Sequence, residues 1–295
     1  MSDENPLARL GDLAKPATVL IEKISDAVGG VFKPFQIVRV AKAEAEANQI
    51  QAESQILITD LHRRAGRRFI EEEAKQQLNI EAITEKALPL LEDKSDPHNM
   101  ADDWITNFFD KSRIVSDADM QQLWARVLAG EANSPGDFSK RTVNLLADLD
   151  KSDAESFTRL CAFGWQVTCL VPLIFNTDDE IYERNGIEMN TLTDLESLGL
   201  IKVDGLGFKT IDLPKNVVVT YDGRPVNIIF KREEGNELDT GTVHLTRAGD
   251  QLASVCGSGR VEGFFEFIYD RWARASLVPK RKNEPSTSKL ESKHT

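Results

Sequence analysis

A helix-like spacing of apolar residues marks the start of the chain. The apolar positions recur three and four residues apart: Leu10, Leu13, Ala14, Ala17, Leu20, Ile21, Ile24, Ala27 and Val28. This spacing predicts an amphipathic helix. Pro16 suits a helix start and Gly29-Gly30 a helix end, so we predict an N-terminal helical segment over residues 1–34.

A second, much longer helical pattern follows. From Phe35 to Leu88 the chain has no proline and a single glycine, Gly66, which predicts one long helical arm over residues 35–91. Its apolar seam has a heptad-like spacing and consists of Ala43, Ala47, Ile50, Leu57 and Leu61, with Ala65 and Phe69 continuing it in steps of four. Because a small domain cannot bury so long a stripe, we expect the arm to pair with another helix, from its own chain, a second copy or a partner protein.

The middle of the chain, residues 97–172, has short apolar stripes rich in aromatic residues, which predict a compact helical bundle. Asp102-Asp103, Ser116 or Asp117, and Ser139 are placed to cap three of its helices. Gly130 is expected to end the second of these. The stretch DAESFTRLCAFGWQV predicts the last helix.

The pattern changes in residues 173–275, where a short helix over 191–198 leads into a strand and further β-rich runs. Two of these runs flank Asp222-Gly223, a hairpin signal. The order of helix, strand, hairpin, LTRAG motif and helix is typical of winged-helix modules. Residues 276–295 are polar and predict a disordered tail. The predicted fold is mainly α, with a smaller α+β C-terminal domain.

Charge and cysteine content narrow the classes of function. The net charge is −12, but residues 1–90 hold 12 Lys and Arg against 14 Asp and Glu, so an anionic partner is best sought there. Three cysteines with apolar neighbours, none in a CxxC pair, predict buried reduced thiols. No apolar run has the length of a membrane span, and the first residues lack a secretory signal pattern. We expect a cytoplasmic protein.

Several motifs carry a family resemblance. The stretch LAKPATVLIEKISDAVGGVFKPFQI and the block DDWITNFFD, MQQLWARVLAGE and SKRT resemble a bacterial family of unknown function, from about Leu10 to Trp272. The middle block also resembles the abortive-infection alpha proteins, as do LESLGLI and LTRAG. This second resemblance implies a role in defence against phage. Neither family has a catalytic motif to carry over, so no catalytic residue is assigned.

The clearest candidate for anion binding is the arginine patch, Arg63, Arg64, Arg67 and Arg68. Residues four apart stack on one side of a helix, so these side chains form a cationic surface that suits nucleic acid or phosphate. The alternative is pairing with Glu71, Glu72, Glu73 or with acidic residues of another chain. We favour the pairing.

Other polar clusters have simpler explanations. Asp102, Asp103, Asp110, Asp117 and Asp119 resemble a Mg²⁺ site, but helix caps and ion pairs with Lys111 and Arg113 explain them better. Glu131, Arg126 and Arg141 are predicted to form a buried polar brace around the NSPGDF loop. No nucleotide-binding, zinc or nucleophile-elbow motif is present, so we expect no metal and no cofactor.

The predicted recognition helix of the winged module carries Asp194 and Glu196 and no Lys or Arg, which disfavours base reading. The N-terminal helix could lie on a membrane, but its polar face is mixed in sign, which favours packing against a helix. The sequence therefore predicts a non-enzymatic oligomer of bacterial anti-phage defence. The alternative is a nucleic-acid-binding regulator that uses the arginine patch and the winged module.

Overall fold

The computed structural model describes residues 15–28 and 60–279, and these form two compact units. The first contains residues 15–28, 60–154 and 254–256, and the second contains 155–253 and 257–279. The described fold is mainly α with a smaller α+β C-terminal part, as predicted. The seam residues Ala43, Ala47, Ile50 and Leu57 lie outside the described residues, whereas Leu61 lies within them.

The first unit is helical. Its helices are α1 Lys15–Val28, α2 Asp60–Ala87, α3 Asp102–Ser112, α4 Ala118–Asn133 and α5 Lys140–Ala147, with 3₁₀ turns at Leu88–Leu90 and Pro97–Asn99. Aromatic rings join α3 to α4, since Phe108 lies 5.1 Å from both Trp104 and Trp124, measured between ring centroids. These rings are buried and make the centre of the predicted bundle.

Helix α1 begins where Pro16 predicts and packs on α3. Ala17, Leu20 and Ile24 are buried there, and Lys23 Nζ donates a hydrogen bond to Asp102 Oδ1 at 2.7 Å. The apolar face of this amphipathic helix is therefore covered by the chain itself. None of the described helices is both long and apolar enough to cross a membrane.

The helix caps agree with the sequence at two sites and differ at a third. Asp117 accepts hydrogen bonds from the Asp119 and Met120 amides, and Ser139 accepts one from the Thr142 amide. Asp102 and Asp103 were expected to cap α3, but Ala101 is its N-cap and both aspartates lie in the first turn. There their negative charges interact favourably with the positive end of the helix dipole.

Gly130 does not end α4, which continues to Asn133. A Cβ atom at this position would lie 2.5 Å from the Phe138 ring. The glycine is thus required by close packing of the following loop and not by helix termination.

The second unit combines helices with two antiparallel sheets. Its helices are α6 Lys151–Cys161, α7 Glu180–Glu183, α8 Met189–Ser197, α9 Arg247–Ala253 and α10 Phe264–Arg274. Its strands are β1 Gly164–Gln166, β2 Leu170–Pro172, β3 Ile201–Leu213, β4 Asn216–Tyr221, β5 Arg224–Ile229 and β6 Asn236–Leu245. One sheet has the order β2-β1-β4-β5, and β3 pairs with β6 in the other. The boundary between the units falls within α6, after Ala154, whereas the predicted domain boundary lies at 172/173.

The predicted hairpin is confirmed. β4 and β5 are joined by Asp222 and Gly223, whose φ angles of 48° and 73° are those of a tight type I′ turn. The helix predicted over DAESFTRLCAFGWQV is wrong in its second half, because α6 ends at Cys161 and Gly164–Gln166 form β1. The cause is tertiary packing. Trp165 is fully buried and stacks on Tyr221 of β4, which lies beside β1 in the sheet.

The LTRAG motif has a clear structural role. Thr246 N and Oγ1 both donate to Leu200 O, at 3.0 and 3.1 Å, and Thr246 Oγ1 accepts from Gly249 N at 3.1 Å. A Cβ at Gly249 would lie 2.0 Å from Leu200 O. The threonine therefore caps α9, and the glycine lets α9 begin directly against the turn that precedes β3.

The end of the described chain is packed. Leu277 O accepts a hydrogen bond from Ile229 N, and Val278 is buried, so the part of the predicted tail that the structure describes, 276–279, is ordered. Cys161 and Cys256 are buried as expected, but Cys169 is exposed.

Candidate interaction surface

Helix α2 has two parts with different surroundings. In the second part Asn79, Ile80, Ile83, Thr84 and Ala87 are buried. This part packs on α4, and polar contacts fix it there. Lys86 Nζ donates to Gln121 Oε1 at 2.6 Å, and Asn79 Nδ2 donates to Arg113 O at 2.8 Å. The second part of α2 is therefore a wall of the first unit.

The first part of α2 is exposed along its whole length. All sixteen residues from 60 to 75 are exposed, a helical length of about 24 Å. Leu61 and Phe69 are each 63% exposed, which is unusual for large apolar side chains on the same helix. Leu61 is the one residue of the predicted seam whose surroundings the described residues show.

The exposed apolar residues continue the buried face of the same helix. At 3.6 residues per turn, Leu61, Ala65 and Phe69 fall within the same sector of about 100° as Ile80, Ile83 and Ala87. We call Leu61, Ala65 and Phe69 the exposed stripe. The face that α2 buries against α4 thus extends beyond α4 with no described element covering it. The spacing of Ile80, Ile83 and Ala87 is the signal in the sequence for this continuity.

By the same helical geometry, Arg63 and Arg67 lie on the side of α2 opposite the exposed stripe, whereas Arg64 and Arg68 flank the stripe. Each arginine has an acidic neighbour on the helix. The pairs are Arg63–Asp60 at 3.8 Å, Arg64–Asp60 at 3.1 Å, Arg67–Glu71 at 3.0 Å and Arg68–Glu72 at 3.4 Å. This agrees with the pairing that we favoured. Exposed pairs of this kind contribute only about 0.3–0.5 kcal/mol each, so a second anion can compete for the arginines.

The predicted carboxylate cluster is divided into separate ion pairs. Asp102 pairs with Lys23, Asp103 with Lys140, Asp110 with Arg113, and both Asp117 and Asp119 with Lys151. A hydrogen bond from Lys140 lowers the pKa of Asp103, and one from the Met120 amide lowers that of Asp117. Within residues 15–28 and 60–279, no group of three or more His, Cys, Asp or Glu could hold a metal ion.

Glu131 braces the NSPGDF loop, as predicted, but it does so without the two arginines. Its Oε1 accepts from Gly136 N and its Oε2 from Phe138 N, both at 2.8 Å. Burial raises the pKa of this carboxyl group, against the effect of the two hydrogen bonds. Arg141 is exposed, and Arg126 donates to the carbonyls of Val255 and Cys256. The brace is therefore structural and leaves no buried cation beside Glu131.

Two cavities are candidate ligand sites. One, of about 460 Å³, lies in the second unit between the β4–β5 turn and the start of α10. Its arginines are engaged, since Arg224 lies over the Phe265 ring at 3.6 Å and Arg260 faces Asp222 at 3.9 Å. The other, of about 330 Å³, lies beside Glu131 in the first unit. Neither lining contains a His or Cys, so neither places a strong nucleophile beside a base.

The predicted recognition helix is α8. Asp194 and Glu196 are exposed on it, and Glu196 Oε1 also accepts a hydrogen bond from Val203 N at 2.8 Å. The exposed side of α8 therefore carries negative charge and no described basic side chain, which opposes phosphate binding. The arginine patch and the acidic α8 belong to different units.

Comparison with known proteins places the chain in a family. No curated protein and no solved structure gives a significant match. The sequence profile of a family described as "Protein of unknown function (DUF2806)" matches residues 63–269, which confirms the resemblance to a family of unknown function. The match begins inside the exposed part of α2, at Arg63, and includes the arginine patch and Phe69. The chain belongs to the DUF2806 family.

Proposed function

We propose that this protein is a non-enzymatic assembly protein, in which the exposed part of α2 binds a helix of a second copy or of a partner protein. The observation that carries the proposal is the exposed stripe. It continues a face that the same helix buries against α4, and it leaves Leu61 and Phe69 each 63% in solvent.

Physical arguments support association through this segment. Isolated helices of about 12–15 residues are marginal in water, and the sixteen exposed residues of α2 gain no described tertiary packing. Burying the stripe against another helix would supply that packing. Ala65, between Leu61 and Phe69, leaves room for a close approach.

The test uses the full chain, because the second part of α2 is buried in the first unit and a deletion up to residue 90 would remove it. Leu61→Ser and Phe69→Ser are combined in one variant. Sedimentation equilibrium is expected to show an oligomer for the parent protein and a smaller species for the variant. A parent protein that is monomeric at every concentration and brings down no partner from its own cells would overturn the proposal.

The second candidate is a nucleic-acid-binding regulator. Its support is the arginine patch, which gathers four guanidinium groups within two turns of α2, together with the helix–ribbon–helix order of α8, β3, β6 and α9. Fluorescence anisotropy with duplex DNA and single-stranded RNA tests it. If replacing all four arginines by Glu leaves nucleic-acid binding unchanged and abolishes assembly, the anion-site hypothesis fails.

The biological context that we propose is bacterial defence against phage, and it rests on the resemblance of the middle block to abortive-infection alpha proteins. Phage plating efficiency on a host with and without the gene tests this part. Protection is expected with the parent protein and not with the Leu61→Ser/Phe69→Ser variant. Equal plating with and without the gene, over a broad phage panel, would remove the defence role and leave the assembly role intact.

A further inference from the structure

We infer that the helix bound by the exposed stripe is α2 of a second copy of this chain, running antiparallel to the first. This inference rests on the proposed assembly function and adds the identity and the direction of the partner. It follows from the order of charges along the exposed part of α2.

The exposed part of α2 is basic first and acidic afterwards. Residues 63–68 carry four arginines and no acidic residue, and residues 71–73 are three consecutive glutamates. All of these side chains lie in the exposed part of the helix, so their charges are available to a neighbouring molecule. The segment therefore has a charge of +4 followed by −3 within eleven residues.

Helix direction decides which charges meet. Packed helices lie about 8–10 Å apart, so the charges of one helix act on those of the other. Two parallel copies in register would place the arginines of one beside the arginines of the other, and the glutamates beside the glutamates. Two antiparallel copies centred near residue 68 place Arg64 of each copy beside Glu71 of the other, on the same flank of the stripe. Only the antiparallel pair joins charge complementarity to burial of the stripe.

The ion pairs within one copy do not prevent this arrangement. Arg64, Arg67 and Arg68 make their contacts with Asp60, Glu71 and Glu72 through Nε. A guanidinium carries five N–H donors, so the same arginine can also serve a carboxylate of the second copy. The Arg64 and Arg68 side chains, which flank the stripe, are 72% and 76% exposed, which leaves them open to such an approach.

The symmetry of the pair is closed. An antiparallel pair of identical helices is related by a two-fold axis, and each surface contacts its own equivalent, so association stops at two copies for each stripe. The centre of the pairing lies near residue 68. Asp60 of one copy then lies beside Lys75 of the other, and both side chains are exposed.

Cross-linking of the full chain tests the direction. The exposed Cys169 is first replaced in a Cys169→Ser background, and the two remaining thiols are buried. Asp60→Cys and Lys75→Cys are then made separately and treated with a bismaleimide of about 10 Å span, matched to the distance between packed helices. The antiparallel pair predicts a cross-link when the two variants are mixed and little when either is treated alone. In a parallel pair, each variant would cross-link alone and the mixture would give no mixed product.

Exchanging the charges tests whether their order along α2 causes the antiparallel association. Replacing Arg63, Arg64, Arg67 and Arg68 by Glu is expected to weaken self-association about tenfold or more, because the whole segment becomes acidic. Adding Glu71→Lys, Glu72→Lys and Glu73→Lys to the same chain inverts the order of charges and is expected to restore association. Failure of the second change to restore it would overturn the role of charge.

The outcomes separate this inference from the proposed function. A dimer that Leu61→Ser/Phe69→Ser disrupts, but that cross-links only in the parallel pattern, keeps the assembly function and overturns the antiparallel arrangement. A stripe that binds only a different protein also overturns the inference and keeps the function. A monomer that binds no partner overturns both.

Discussion

Phe69 offers the sharpest single-residue test of assembly. Its side chain is 63% exposed, and a phenylalanine side chain presents about 200 Å² of mainly apolar surface. About 125 Å² per copy therefore stays available for burial, which at 25 cal/mol per Å² corresponds to about 3 kcal/mol per copy, or 6 kcal/mol per dimer. If half of this area is covered, Phe69→Ser costs about 3 kcal/mol of association and raises the dimer Kd about a hundredfold.

Leu78 provides a matched control on the same helix. It is 66% exposed, close to the value for Phe69, but it lies about 180° around the helix from Phe69. Leu78→Ser removes a comparable exposed apolar surface from the side that faces away from the stripe, so the Kd is expected to stay within about twofold.

The assay is sedimentation equilibrium of both full-length variants over a wide concentration range, with urea denaturation of each as a check of folding. Neither substitution removes a described core contact, so the urea midpoints should agree with that of the parent protein. Equal Kd values for Phe69→Ser and the parent, or equal weakening by Phe69→Ser and Leu78→Ser, would refute the assignment of the interface to the stripe.

Three further predictions concern the two units. Gly249→Ala is expected to lower the stability of the second unit by about 3 kcal/mol, because the added Cβ would lie 2.0 Å from a backbone oxygen. Urea denaturation followed by tryptophan fluorescence measures this change. Gly259→Ala is the neutral control, because no atom lies within 4 Å of the position of its Cβ. Tyr221→Phe should cost about 1–3 kcal/mol in the same assay, because the hydroxyl accepts from a buried amide at 2.7 Å; an unchanged midpoint would contradict this. Because burial raises the pKa of Glu131 above 4.5, its stabilising effect is complete below that pH and is lost as pH rises through the folded pKa. The urea midpoint of the parent should therefore fall relative to that of Glu131→Gln as pH rises from 4.5, and a constant difference would contradict the shift.

Local patterns were sufficient for most helices and for the hairpin. Apolar spacing located α1, α3, α4 and α5, because a helix that packs on one side repeats its apolar residues every three or four positions. Asp222-Gly223 located the β4–β5 turn, because a type I′ turn needs positive φ at two residues. Asp117 and Ser139 could be recognised as caps, because capping involves only neighbouring backbone amides.

The sequence was less informative where distant residues decide the structure. GWQ follows a helix in the chain and reads as its continuation, but Trp165 is drawn into a strand by rings that lie far away in sequence, among them Tyr221 and Trp272. Glycine often ends a helix, so Gly130 suggests a helix end. Only its closeness to Phe138 in the structure shows that a glycine is needed there for packing. Asp102 and Asp103 suit both the N-cap position and the first turn of a helix. The structure has Ala101 at the N-cap, so both aspartates lie in the first turn.

For the candidate surface, the sequence by itself determined the chemistry: an apolar stripe with Leu61, Ala65 and Phe69, four arginines, and three glutamates after them. Only the tertiary structure decided which part of that stripe is available. The neighbours of α2 end near residue 76, so the apolar residues of this face after it, Ile80, Ile83 and Ala87, are buried against α4, and those before it are exposed. Periodicity defines a face of a helix, but burial depends on whether another element lies against that face, and this is set by contacts between residues far apart in the chain.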